Sequence, residues 1–168
     1  MVLALEDKKA IVVEVNEAAS RAMSLVVADS RGIPVANLTA LRKQAREVNV
    51  TLRVVRNTLA RRAVVGTEFE CAQEVFKGPS LLAFSMEDPA AAARLFKAFA
   101  KANEKFEIRA LVFGGQLMGG DKIDVLATMP TREQALGMFA RVLLEVPTKF
   151  ARALAAVRDQ REPPQAAA

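Results

Sequence analysis

Histidine, tryptophan and tyrosine are absent from the chain, and cysteine occurs once, at Cys71. Without histidine there is no Ser-His-Asp or Cys-His catalytic arrangement and no imidazole metal ligand. A single cysteine excludes an internal disulfide and a Cys-rich zinc site, and it fits a reducing cytoplasm. Cys71 falls between Glu70 and Glu74 in a helical pattern and is expected to be a small buried hydrophobe. No apolar run approaches the ~20 residues that cross a bilayer. The phosphate-binding Gly-Lys-Ser/Thr loop and the dinucleotide glycine fingerprint are missing as well. Acids interrupt the start, Met1-Val2-Leu3-Ala4-Leu5-Glu6-Asp7-Lys8-Lys9, where a secretory signal needs a basic and then an apolar stretch. Asp121 and Asp124 are three apart, but they read as the exposed first turn of a helix after Gly119-Gly120, where acids complement the helix dipole. Nothing in this inventory asks for an enzyme, and no metal or cofactor is expected.

What the chain does have is one-sided charge. The formal net charge is +5. Residues 1–67 carry 11 Lys/Arg against 6 Asp/Glu, whereas residues 68–168 carry 13 of each, so the whole excess lies in the first part. It is densest between Arg42 and Arg62, where Arg42, Lys43, Arg46, Arg53, Arg56, Arg61 and Arg62 face one acid, Glu47. A patch of that kind attracts polyanions, and nucleic acid is the commonest polyanion in a cell. Its bland counterpart is a solvated helix face.

With 52% hydrophobic and 26% charged residues, the 168-residue chain has the composition of a globular protein with one domain and an appendage, or two small domains. Helical spacing runs from about Glu6 to Ala22. Ser24–Asp29 then reads as a strand, and Asn37 is placed to cap a helix over Leu38–Val48. Thr51–Arg56 is a second strand. Asn57 or Thr58 caps a short basic helix that ends at Gly66, and a further short helix covers Glu70–Phe76. Ser80–Ser85 is a third strand, Asp88 caps an Ala-rich helix that runs to about Ala102, and Glu107–Phe113 is a fourth strand ended by Gly114-Gly115. With the inserted short helices set aside, the order is β-α-β twice. That predicts an α+β fold, a ferredoxin-like (split βαβ) sandwich with extra helices. A doubly wound parallel sheet is the alternative, disfavoured by there being only four good strands.

After Pro130 the pattern changes to one long helix over Thr131–Arg161, expected to protrude. Leu136, Phe139, Leu143, Phe150, Leu154 and Val157 fall within an arc of about 60° on its wheel. Gln134, Arg141, Glu145, Lys149, Arg152 and Asp159 lie on the far side. The stripe repeats: Phe139-Ala140-Arg141-Val142-Leu143 returns as Phe150-Ala151-Arg152-Ala153-Leu154, eleven residues and about three turns later. Two equivalent docking sites for a partner are the natural reading. The bland one is a helix folded back onto its own domain. Pro147, between the copies, removes one backbone hydrogen bond and is expected to kink the helix. The division expected is an α/β domain over 1–130, a partner-binding helix over 131–161, and a disordered tail over 162–168.

With these pieces together, the chain resembles the bacterial large-subunit ribosomal protein ten family, over essentially its whole length. The resemblance rests on Glu6-Asp7-Lys8-Lys9, Ala28-Asp29-Ser30-Arg31-Gly32, and above all Arg53-Val54-Val55-Arg56-Asn57-Thr58-Leu59. Phe76-Lys77-Gly78-Pro79-Ser80-Leu81 and Ala92-Ala93-Arg94-Leu95-Phe96-Lys97 also match. It implies an N-terminal domain bound to large-subunit rRNA beside ribosomal protein eleven, and a C-terminal helix carrying dimers of the acidic stalk protein seven/twelve. Those dimers recruit GTP-bound translation factors, and some relatives also repress their own messenger. On this reading Lys8, Arg31, Arg53, Arg56, Arg61 and Arg62 are candidates for phosphate contacts. Asn57 is either a helix cap or a group that bonds a base or ribose. Leu136, Phe139, Leu143, Phe150, Leu154 and Val157 are candidates for partner contacts, enough for two stalk dimers. Few aromatics lie near the basic patch, so recognition of folded RNA by shape and backbone fits better than base stacking. The competing functional reading is an enzyme or nucleotide-binding domain that uses the arginine cluster on a phosphorylated ligand. A membrane-surface anchor is disfavoured by the acids on the far face of the last helix and by its narrow seam.

Overall fold

Two apolar runs, Ser24–Asp29 and Ser80–Ser85, are buried at all six positions. A strand hidden on both faces needs a layer on each side, and this requirement organises the domain. The structure is a computed structural model that describes residues 5–103 and 105–161. The tail expected to be disordered, 162–168, lies outside them. The chain divides after Met129 into two compact units.

In the first unit α1 (Leu5–Arg21) leads into β1 (Ser24–Asp29), followed by α2 (Val35–Glu47), β2 (Val50–Val54), α3 (Asn57–Ala63) and a 3-10 turn at Glu70–Glu74. Then come β3 (Ser80–Ser85), α4 (Ala91–Ala102), β4 (Glu107–Phe113), β5 (Gln116–Gly119) and α5 (Ile123–Ala127). The sheet order is β2-β3-β1-β4-β5, with every neighbouring pair antiparallel. Because β1 and β2 both run opposite to β3, which lies between them, each βαβ unit is split by a strand of the other. This is the α+β ferredoxin-like arrangement, and the antiparallel neighbours exclude the doubly wound sheet.

Alternation along the central strands sorts the core into two halves. Val26, Ala28, Leu81, Ala83 and Leu111 face α2, α4 and α5, joining Leu41, Phe96 and Leu126. Phe106 packs edge-on against Phe96 and Phe99, with centroids 5.1 and 5.0 Å apart. Leu25, Val27, Leu82, Phe84 and Val112 face the other way, against Val15 and Ala19 of α1, Ala60 and Ala63 of α3, and Phe69 and Phe76. The inserted helices are therefore the second cover of the sheet.

Four sequence expectations need correction. The sheet has a fifth strand: Gly114 (φ 56°) and Gly115 (φ 72°) form a two-residue hairpin turn rather than a stop. Helix α2 starts at Val35, because Pro34 already holds a helix-entry φ of −58°; Asn37 lies inside the helix, and its amide donates to Asn103 Oδ1 at 2.7 Å. Helix α4 starts at Ala91: Asp88 accepts the Ala90 N–H at 3.0 Å, and buried Ser85 Oγ accepts the Ala92 N–H at 3.2 Å, so a strand residue satisfies a helix donor. Cys71 is half-buried at the rim of the second core half rather than enclosed.

The second unit contains α6 (Arg132–Arg161), 30 residues long and continuous through Pro147. It opens with a capping box: Thr131 Oγ1 accepts the Gln134 N–H at 3.3 Å, and Gln134 Oε1 accepts the Thr131 N–H at 3.2 Å. Thr148 Oγ1 donates to Leu144 O at 2.6 Å, and Lys149 pairs with Glu145 one turn earlier at 2.6 Å.

Candidate nucleic-acid and partner interfaces

The register places four loops at one end of the sheet. Asp29 lies opposite both Ser80 and Glu107, and Val54 lies opposite Leu81. The end of β1, the end of β2, the start of β3 and the start of β4 therefore meet. Arg31, Arg56, Lys77 and Lys105, all exposed, sit on the loops there. Lys77 and Lys105 come from the part of the chain whose net charge is zero, so a count along the sequence could not find them. Exposed Glu107 opens β4 at this same end, and Glu87 and Asp88 follow β3 at the other.

The predicted cations divide into free and engaged groups. The side chains of exposed Arg56 and Arg62, and of half-buried Lys8, have no hydrogen bond or ion pair among the described residues. Arg53, on β2, is ion-paired with Glu14 of α1, and both side chains remain about half exposed. Lys8 lies nearly two turns before Glu14 on the same helix. Arg31 donates its backbone N–H to Asp29 Oδ1 at 3.0 Å, while its guanidinium stays largely in solvent, 3.8 Å from the same carboxylate.

Asn57 does not cap α3. Arg56 is the capping residue in extended conformation, and the Asn57 amide donates to Gly78 O at 2.8 Å. Arg61 is also engaged inside the protein: Nη2 donates to Phe76 O at 2.8 Å and Nε to Gln73 O at 3.2 Å. Both are drawn to the Phe76–Pro79 loop, whose carbonyls have no partner within a strand. Sequence reasoning missed the third member of this set, Arg109. It donates Nη1 to Lys77 O and Nη2 to Asp29 Oδ2, the latter at 2.6 Å. Asp29 is buried, so this charge-assisted bond supplies the partner that a buried carboxylate requires.

A groove of about 830 Å³ runs along β2, one of the two edge strands of the sheet, lined by Arg42, Arg46, Arg53 and Glu87 among others. Arg42 and Arg46, one turn apart on α2, put charge where another chain would add a strand, a common protection of exposed edges.

On α6 every seam residue is exposed: Leu136, Phe139, Leu143, Phe150, Leu154 and Val157 range from 47% to 67%. Phenylalanines at 63% and 67% exposure are unusual for a surface without a partner. No helix among the described residues is long and apolar enough to cross a membrane, and no group of His, Cys, Asp or Glu among them is placed to hold a metal ion.

A domain with a basic end, joined to a helix with an unburied apolar seam, has the parts of an assembly protein rather than of a catalyst. Residues 3–101 match the family model described as ribosomal protein L10, and residues 129–167 match that of the ribosomal protein uL10 C-terminal region. The chain is 61% identical over 173 residues to large ribosomal subunit protein uL10 of Teredinibacter turnerae, covering 96% of this chain and 98% of that one. It is 62% identical over 163 residues to the protein of that name from Shewanella pealeana (96% and 99% covered) and 58% over 162 residues to that from Pseudomonas putida (96% and 98%). The chain belongs to the ribosomal protein L10 (uL10) family. It is a ribosome-associated protein of the large subunit, not an enzyme, and the reading of the arginines as a substrate site is set aside.

Proposed function

We propose that this protein is the base of the large-subunit stalk, with its first unit on large-subunit rRNA beside ribosomal protein eleven and its last helix carrying two dimers of the acidic stalk protein seven/twelve. The observation that carries this reading is the exposed, twice-repeated seam of α6. A lone helix is marginal in water, and burial of each large apolar side chain is worth about 1.5–3 kcal/mol, so two or three per repeat are enough to hold a partner in place. Charge supports the same assignment, since Arg132–Arg161 itself carries six Lys/Arg against three Asp/Glu and is matched to an acidic partner. On the rRNA side, Arg56 and Arg62 meet phosphates directly, Lys8, Arg31 and Arg53 flank them, and Asn57 and Arg61 support the adjoining loop. The dimers in turn recruit GTP-bound translation factors, so the protein acts on those factors only through its cargo.

Co-purification tests both halves. The tagged full chain, expressed in a bacterial cell, is expected to sediment with large subunits and to retain a small acidic protein at four copies per chain after the ribosome is stripped. A chain that stays at the top of the gradient, or that carries no acidic protein, would overturn the assignment.

A further inference from the structure

Three successive carbonyls of the Phe76–Pro79 loop are held by three side chains from separate elements. Arg61 of α3 takes Phe76 O, Arg109 of β4 takes Lys77 O, and Asn57 at the start of α3 takes Gly78 O. Arg109 is itself held by buried Asp29. An ordinary surface loop leaves its carbonyls to water. Here the backbone is fixed while Lys77 stays exposed, with no acidic partner among the described residues. Gly78 has φ +75°, and a Cβ there would lie 3.0 Å from Arg31 Nη2, so the loop backbone is pressed against the Arg31 guanidinium. Next to it, a shallow groove lined by Arg56, Asn57, Gly78 and Pro79 connects the loop to the basic segment after β2. Arg31 and Arg56 thus flank the loop on one side, and on the other Lys77 lines a second shallow groove with Arg61, Gln73 and Glu74. Asp29 answers Arg31 and Arg109 from inside the protein, while Arg56 and Lys77 stay exposed without an ion pair among the described residues, and exposed cations on an open surface suit a chain of phosphates.

Resting on the rRNA reading above, we propose that the Phe76–Pro79 loop is the second wall of the RNA site, with Lys77 as a phosphate contact and Arg109 as the residue that positions it. Arg109 touches no RNA. It acts through the Lys77 carbonyl, and Asp29 keeps it in place.

The test uses the full chain and deproteinised large-subunit rRNA from Pseudomonas putida, with affinity measured across a salt series. Lys77→Ala is expected to reduce the slope of log affinity against log salt by roughly 0.7–0.9, the loss of one phosphate contact, with an unchanged melting temperature. Lys77→Arg is expected to restore the slope. Arg109→Ala is expected to reduce it by a similar amount, and adding Lys77→Ala to that background should reduce it no further. A full slope in Lys77→Ala overturns the contact, and additive losses in the double variant overturn the positioning role. Failure of the parent chain to bind this RNA at any salt concentration overturns the rRNA reading itself. If Arg109→Ala does not fold, the Lys77 variants, at an exposed side chain, still decide the contact.

Discussion

At the residue scale the chemistry lies in which cations are free. Arginines crowd the segment between Arg42 and Arg62 in the sequence, but sequence alone gives them equal standing. The structure separates them: Arg61 satisfies loop carbonyls and Arg53 faces Glu14, while Arg56 projects from an extended capping position without a partner among the described residues. Arg56→Ala is therefore expected to reduce the salt slope of rRNA binding by roughly 0.7–0.9 with little change in stability, which salt-series binding and thermal melting would check together. Arg61→Ala differs in kind. It leaves Phe76 O and Gln73 O without their donor, and a lowered melting temperature is expected before any change in the slope. Gly120 is constrained for another reason. A Cβ there would stand 2.0 Å from the carbonyl oxygen of Ile108 on β4, and backbone cannot move aside cheaply. Gly120→Ala is expected to destabilise the first unit by about 1–3 kcal/mol in urea unfolding, through the same overpacking that penalises enlarged core side chains.

At the scale of elements, α6 was readable in advance because its information is local. A 3.6-residue period and an eleven-residue repeat depend only on the order of side chains, and the capping box at Thr131 and Gln134 depends on four consecutive residues. If each copy of the repeat holds one stalk dimer, Phe139→Ala and Phe150→Ala should each remove one, and the double variant both, in native mass spectrometry of the assembled complex. A full complement in the double variant would remove the seam from the interface. Other element boundaries were less legible. Asn37 and Asp88 have the chemistry of helix caps, yet Pro34 and Ser85 settle where α2 and α4 start. Proline acts through its fixed φ, and Ser85 acts from a strand that the sequence places seven residues away. The missed β5 had a local signal, since adjacent glycines between apolar segments mark a two-residue hairpin as readily as a stop.

At the scale of the whole molecule, the proposed stalk-base role gives each of the two units its own task. The first has its own two-sided core, built from buried residues between Val15 and Leu126. Truncation after Thr131 is therefore expected to leave a folded protein with cooperative unfolding and undiminished rRNA affinity, but with no acidic partner on a sizing column. Loss of rRNA binding in that fragment would refute the division of labour. The sequence by itself determined the elements whose causes are local: the β-branched strands, the amphipathic period of the last helix, its repeat, and the exclusion of histidine- and cysteine-based chemistry. It also located the main cationic segment, because charge adds along a chain without reference to folding. Only the tertiary structure decided the strand order, the use of α1 and α3 as the second cover of the sheet, and the gathering of Lys77, Lys105 and Arg109 beside Arg31 and Arg56. Those depend on antiparallel pairing between segments separated by as many as 89 residues, as Ser24 and Phe113 are. Contacts of that range leave no periodic trace in the sequence, since each is set by the register of a whole sheet rather than by its neighbours.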